Sequence, residues 1–255
     1  SNEGQKQSHQ MLLDERVMVQ ELQTLLRGGS SSIFIIDQGS VEIDGAIQQK
    51  FAPVVSSLLR IVLSLTEIEE TITELQGLLG QTIAEEMERN LIEFYSSVSD
   101  SMDVIQLSIF ASSGMVLKIM SLAFIAHALR TNQNYFDVLH EFSSHGSPMV
   151  QKVTSTLTNA MLRTYAGFVE DWVSTSTLND PFGEFFVAKA NRHIETYEWW
   201  DLKYSVVPET IPYFLEPEIQ SKVVSAGRAR RLLRRSRRLN GLSSPDTEFT
   251  TRTKD

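Results

Sequence analysis

Cysteine is absent from all 255 residues, which excludes disulfides, thiolate metal sites and cysteine nucleophiles within this chain. A reducing compartment is compatible with that lack. The opening SNEGQKQSHQ has no apolar core of the kind a secretory signal needs. Long apolar runs are missing as well. The most apolar window, Met115 to Leu129, is about 15 residues against the ~20 that a spanning helix requires, and it contains Lys118 and His127; a buried helix is expected there. Histidine is sparse, at His9, His127, His140, His145 and His193. None pairs with a second ligand at zinc-motif spacing, and His140 and His145 would point to different helix faces. No G-x-x-x-x-G-K-[ST] phosphate loop occurs, LRGGSSS being simplest as a linker, and there is no nucleophile elbow. Acidic pairs such as Glu69/Glu70 and Glu85/Glu86 belong to the wet sides of helices. Catalytic residues, metal sites and cofactors are therefore not expected.

What is present is enough apolar material for a core, 42% of the residues. The formal net charge of -9 favours solubility and argues against a nucleic-acid partner; no membrane partner is expected either. The charge is unevenly placed. Residues 217–240 carry Lys222 and seven arginines against Glu218, a net +7, so the remaining residues sum to -16.

Helical periodicity dominates the chain. Met11, Leu12, Val17, Met18, Leu22, Leu25 and Leu26 form a stripe ended by GGSSS. SIFIIDQGSVEID reads as a small hairpin near 33–43. From Pro53 a helix is expected through Leu79 on Val55, Leu58, Leu59, Val62, Leu65, Ile68, Ile72 and Leu75, with another after Gly80 on Ile83, Met87, Leu91, Phe94, Tyr95 and Val98. Ser112 or Ser113 caps the apolar helix that follows, and NYFDVLHEF makes a short one. Pro148 opens the longest seam, Val150, Val153, Leu157, Met161, Tyr165, Phe168 and Trp172, spaced three or four apart. Pro217 opens a last helix to about Leu239. The expected fold is all-α, an elongated bundle of mostly antiparallel helices, with a flexible segment at 1–14, the helical domain at 15–240 and a disordered tail at 241–255.

Two stretches stand out. Asp180-Pro181 stops the long helix, Gly183 permits a tight turn, and Glu184-Phe185-Phe186-Val187 reads as a short extended piece on the core. An aromatic group comprising Trp172, Phe182, Phe185, Phe186, Tyr197, Trp199, Trp200 and Tyr204 is expected to lock that turn onto the bundle. In the last helix, Ile219, Val223, Ala226, Ala229 and Leu233 form an apolar stripe expected to dock. Arg228, Arg231, Arg235 and Arg238 fall on the other side and are the candidate partner-binding residues. The competing reading is a solvated helix end with cations near its negative dipole terminus.

The order of these pieces resembles the amino-terminal GRIP domain of the gamma-tubulin complex components. Gly146-Ser147-Pro148, Trp172-Val173, Asp180-Pro181-Phe182-Gly183-Glu184-Phe185-Phe186-Val187, Trp200 with Tyr204, Ile211-Pro212-Tyr213-Phe214-Leu215, and Lys222-Val223-Val224 through Ala226-Gly227-Arg228 fill that family's motif places. GLLGQTIAEEMERNLIEFYSSVSDSM is similar to its GLV-x-QAL helix, and the resemblance covers roughly 15–240. Each motif is weak, and their order along the chain is specific. The family's GIDGKYI-like stretch has no clear counterpart, and the arginine density after Gly227 is unusual.

The resemblance implies a scaffold rather than an enzyme. It would pack side by side with other gamma-tubulin complex components, ordering gamma-tubulins into a ring or spiral that templates a microtubule end. It also implies that gamma-tubulin is held through a carboxy-terminal domain missing from this chain, and a location in the cytoplasm and cytoskeleton at a microtubule organising centre (centrosome or spindle pole body). Residues implied to carry the family's structure are Pro148, Trp172, Asp180, Pro181, Gly183, Glu184, Phe185, Phe186, Trp200, Tyr204, Pro212 and Gly227. Two alternatives remain open: an unrelated helical adaptor or tether, and an enzyme whose site is assembled from scattered residues in a deep pocket.

Overall fold

Small polar residues begin several of the helices by satisfying amides that have no partner inside their own helix. A computed structural model of the chain describes residues 14–37, 40–44, 47–99, 102–132, 134–189 and 204–239. Asp14 accepts the Arg16 amide at 2.8 Å and so starts α1 (Glu15–Leu26). An antiparallel hairpin follows, β1 (Phe34–Asp37) and β2 (Ser40–Ile43), with Phe34 opposite Ile43. Next come α2 (Ala52–Glu74) with Pro53 in its first turn, α3 (Gly77–Ser97), and α4 (Val104–Ala111) behind an Asp103/Gln106 capping box. Ser113 caps α5 (Gly114–Thr131) and Asn134 caps α6 (Tyr135–Ser143). The long α7 (Pro148–Thr175) leads to a second hairpin, β3 (Val187–Lys189) with β4 (Tyr204–Val206), and then to α8 (Pro217–Leu239). Among the described residues the chain is thus all-α with the expected hairpin near 33–43, and the second two-stranded sheet, β3 with β4, goes beyond the expectation.

The chain divides into two compact units. Unit 1 takes the residues up to Leu75 and Gly80–Thr158; unit 2 takes Gln76–Leu79 and the chain from Asn159 onward. In unit 1, α2 buries Val55, Leu58, Ile61, Val62, Leu65 and Ile68 and packs on α5, α4 and α1. By length and composition α5 is long and apolar enough to cross a membrane. Val116, Ile119, Leu122, Ile125, Ala126 and Leu129 are nevertheless buried inside unit 1, so it is a core helix of the expected kind. Arg130 near its end reaches Glu70 at 2.6 Å and Glu74 at 3.5 Å. Exposed pairs of this sort contribute about 0–1 kcal/mol each.

The seam along α7 is buried throughout, from Val150 through Leu157 and Met161 to Trp172. Three expectations for the other helices change. Val17 turns outward, 42% exposed. The break between the second and third helices falls at Leu75-Gln76 rather than at Gly80, because a residue of unit 2 caps the turn beginning at Gly77 (below). Gly80 instead sits inside α3, where an added Cβ would meet the Tyr135 hydroxyl at 3.1 Å. The third change is α4 itself, which was not anticipated, although Asp103-x-x-Gln106 before VIQLSIFA is the capping-box signature of a helix start.

Candidate functional site

The turn after α7 is built by two carboxylates. Asp180 accepts the Gly183 amide at 2.9 Å and the Phe185 amide at 2.8 Å, which closes the loop that Pro181 initiates. Gly183 has φ +74°, a left-handed conformation that side chains oppose. Glu184 then reaches the head of α3, accepting the Leu78 amide at 2.6 Å and the Leu79 amide at 3.1 Å. Gly77 makes room for it, since a Cβ there would lie 2.2 Å from Oε1. The glutamate of the motif is therefore a helix cap supplied from about a hundred residues away in sequence. Sequence reading missed that role, because nothing local links the two segments.

Burial pushes the Glu184 carboxyl above its ordinary range; the two amides oppose this and the nearby Asp180 charge adds to it. A carboxyl raised on folding favours the folded state at low pH. Its contribution is fully present below the unfolded value of about 4.3 and is lost as pH rises through the higher folded value. Urea unfolding of wild type and Glu184→Gln across this acid window should show wild type gaining stability relative to the variant as pH falls. A constant difference would mean the cap titrates as in water. Glu184→Ala should cost about 0.5–2 kcal/mol at neutral pH, the usual cost of losing a helix cap.

Phe185 and Phe186 were expected to differ in exposure, with at least one buried. They do not differ: both are buried. Phe185 lies edge-on to Tyr165 at 5.8 Å and tilted against Phe168 at 6.1 Å. Phe182, assigned to the same lock, is 56% exposed and takes no part in it. Tyr197, Trp199 and Trp200 lie outside the described residues. Pro148 is the exposed first residue of α7, and Pro212 is buried and starts a turn closed by the Leu215 amide at 3.0 Å.

Trp172, Tyr204 and α8 form the second half of the site. The fully buried Trp172 indole donates to the Val223 carbonyl at 2.9 Å. Its ring lies so close to α8 that a Cβ on Gly227 would come 2.1 Å from it. The Tyr204 ring packs on the indole at 4.9 Å. Arg231 stands 5.0 Å over the other partner of that stack, the Tyr204 ring, and donates to its hydroxyl. Arg228 donates to the Tyr204 carbonyl at 2.7 Å.

These contacts overturn the expected orientation of α8. Ile219 is 44% and Leu233 57% exposed and Ala229 is exposed too, while Val223 and Ala226 are half-buried, so the stripe turns outward at both ends and at Ala229 instead of docking. The docked face carries Val224, Gly227 and arginines. Arg230 donates to the Ser174 carbonyl at 2.7 Å, and Arg234 to that of Thr175. Both acceptors are end carbonyls of α7, which lack helical partners and carry the negative end of its dipole. Backbone oxygen, rather than a carboxylate, serves these two cations. Of the four candidate partner-binding arginines, Arg228 and Arg231 are thus engaged inside unit 2 and Arg235 is exposed. The Arg238 side chain lies outside the described residues.

Among the described residues, no group of three or more His, Asp or Glu side chains could hold a metal. A groove of about 380 Å³ in unit 1 is lined by Glu86, Arg89, Glu93 and Lys118, among others. Four of its charges pair with one another, Lys118 with Glu93 at 2.7 Å and Arg89 with Glu86, and Lys152 lines it as well.

Against known proteins, residues 19–254 match the family model described as gamma tubulin complex component N-terminal. Gamma-tubulin complex component 2 of Mus musculus is 29% identical over 99 residues, 36% of this chain and 11% of that protein. Gamma-tubulin complex component 2 of Arabidopsis thaliana is 31% identical over 94 residues, 34% of this chain and 13% of that protein. The spindle pole body component alp6 of Schizosaccharomyces pombe is 27% identical over 99 residues, 36% of this chain and 12% of that protein. The matched stretch is therefore only a small part of the length of these relatives.

Proposed function

The chain belongs to the gamma-tubulin complex component family, matching its N-terminal region, and we propose that it serves lateral assembly with neighbouring components into the ring or spiral that templates a microtubule. On this reading it works at a microtubule organising centre, as a scaffold without a catalytic role. Gamma-tubulin itself is held by another part of the whole component. Arg235, whose side chain is exposed, and Arg238 stay in the proposal as contacts to a partner.

The observation that supports this best is α4. Its sequence, VIQLSIFA, carries no charge, and it buries Leu107. Yet Ile105 and Ile109, one turn apart, are each 69% exposed. A helix with no charge and only Gln106 and Ser108 as polar residues usually packs in an interior, and the paired exposed isoleucines are read as a surface that another protein covers. The equivalent domain of a neighbouring component is the proposed cover.

The test is co-sedimentation of this chain with the N-terminal domain of a second component. Ile105→Glu with Ile109→Glu should weaken association at least tenfold and leave the melting temperature unchanged, since both sites are exposed. Failure of wild type to associate with any component would end the lateral reading. Retention of isolated gamma-tubulin as strongly as by a full-length component would end the assigned division of labour.

A further inference from the structure

Arg228, Arg230, Arg231 and Arg234 of α8 are turned inward, and that leaves the opposite face of the helix without a use. Gly227 on the Trp172 indole, Arg228 and Arg231 on Tyr204, and Arg230 and Arg234 on the last carbonyls of α7 fix the rotation of the helix. Turning it over would break every one of these bonds and drive Cβ atoms into the indole. The outward stripe is therefore a fixed feature of unit 2. It runs from Ile219 through the half-buried Ala226 and the exposed Ala229 to Leu232 and Leu233, about 21 Å at 1.5 Å per residue.

We propose that this stripe is a docking site for an acidic amphipathic helix of a partner protein. The proposal deepens the assembly reading, on which it rests for its biological setting, by naming the chemistry of one contact. Three observations select this occupant. The length suits about four turns of a partner helix. Ile219 and the two leucines stand at the ends of the row with Lys222, Ala226 and Ala229 between them, and the small side chains of its alanine half let a second helix approach to the 8–10 Å of ordinary helix packing. Exposed cations stand within and beyond it, Lys222 on the row between Ile219 and Ala226, and Arg235 and Arg237 past Leu233, within a segment of net +7. Carboxylates along the edges of the incoming helix would meet those cations, as e and g residues do in coiled coils. A bilayer surface fits less well: α8 contains no aromatic residue, whereas helices lying in a membrane interface commonly bury Trp, Phe and Leu.

The probe is a fluorescent synthetic helix of about three heptads, leucine at a and d and glutamate at e and g, titrated with the full chain and read by anisotropy. Wild type should bind, several-fold more weakly as ionic strength rises from low to physiological. Ile219→Glu with Leu233→Glu should bind at least tenfold more weakly. Lys222→Glu with Arg237→Glu should bind weakly and lose the salt dependence. All four positions are exposed, and an unchanged melting curve checks that each variant is folded. No binding by wild type, or equal binding by the folded Ile219/Leu233 variant, overturns the proposal. So does concentration-dependent dimerisation abolished by that variant, which would name a second copy as the occupant. Capture by phosphatidylserine vesicles in place of the peptide would name a membrane and overturn it as well. Because the peptide assay uses no other component, its failure leaves the lateral reading standing, and failure of co-sedimentation leaves this one standing.

Discussion

Trp172→Ala should lower the stability of unit 2 by about 3–5 kcal/mol, the usual cost of truncating a large buried aromatic. The indole is fully buried, fills the space between Tyr204 and α8, and donates to the Val223 carbonyl. Its removal leaves a cavity and an unpaired acceptor together. A loss of that size is a large share of the 5–15 kcal/mol typical of a folded domain.

A double-mutant cycle sharpens the argument. In wild type, Gly227→Ala forces a Cβ to within 2.1 Å of the indole, an overpacking that should cost about 1–3 kcal/mol. With Trp172 already alanine that clash is gone, and replacing glycine inside a helix is by itself favourable by up to about 1 kcal/mol. The same substitution should therefore change sign between the two backgrounds. Urea midpoints of the four proteins measure it. Additive effects would show that α8 does not rest on the indole and would remove the basis for its rotation.

The second large effect is at the turn. Phe185→Ala and Phe186→Ala should each cost about 3–5 kcal/mol, because both rings are enclosed. Phe182→Ala, three residues away and mostly exposed, should fall within about 0.5 kcal/mol of wild type. Thermal melts of the three variants make the comparison. A Phe182 variant as damaged as the other two would mean that the turn is held by a contact other than the enclosed pair. Equal melting of all three with wild type would mean the turn is no packing element.

Some of this was legible from residues alone. The α7 seam from Val150 to Trp172 was, since apolar residues three and four apart can share only one helix face. The Ser113 cap, the hairpin near 33–43 and the Asp180–Gly183 turn were legible for the same kind of reason: each depends on side chains within a few positions of the backbone they constrain. Order along the chain carried the family resemblance, and residues 19–254 then matched that family.

Tertiary structure alone decided three things. The break before α3 falls at Gly77 because Glu184, distant in sequence, caps the amides there. The isoleucines of α4 face outward because α4 packs on α2 and buries Leu107 instead. The last helix shows its apolar stripe to solvent because its arginines find main-chain oxygens at the end of α7 and at Tyr204. A side-chain pattern reports hydrophobicity by position, and on that measure arginine reads as outward. It does not report where unpaired carbonyls will stand once another helix has ended beside it. Backbone acceptors are the same in every residue, so the sequence determined which faces α8 has, and the fold determined which of them turned in.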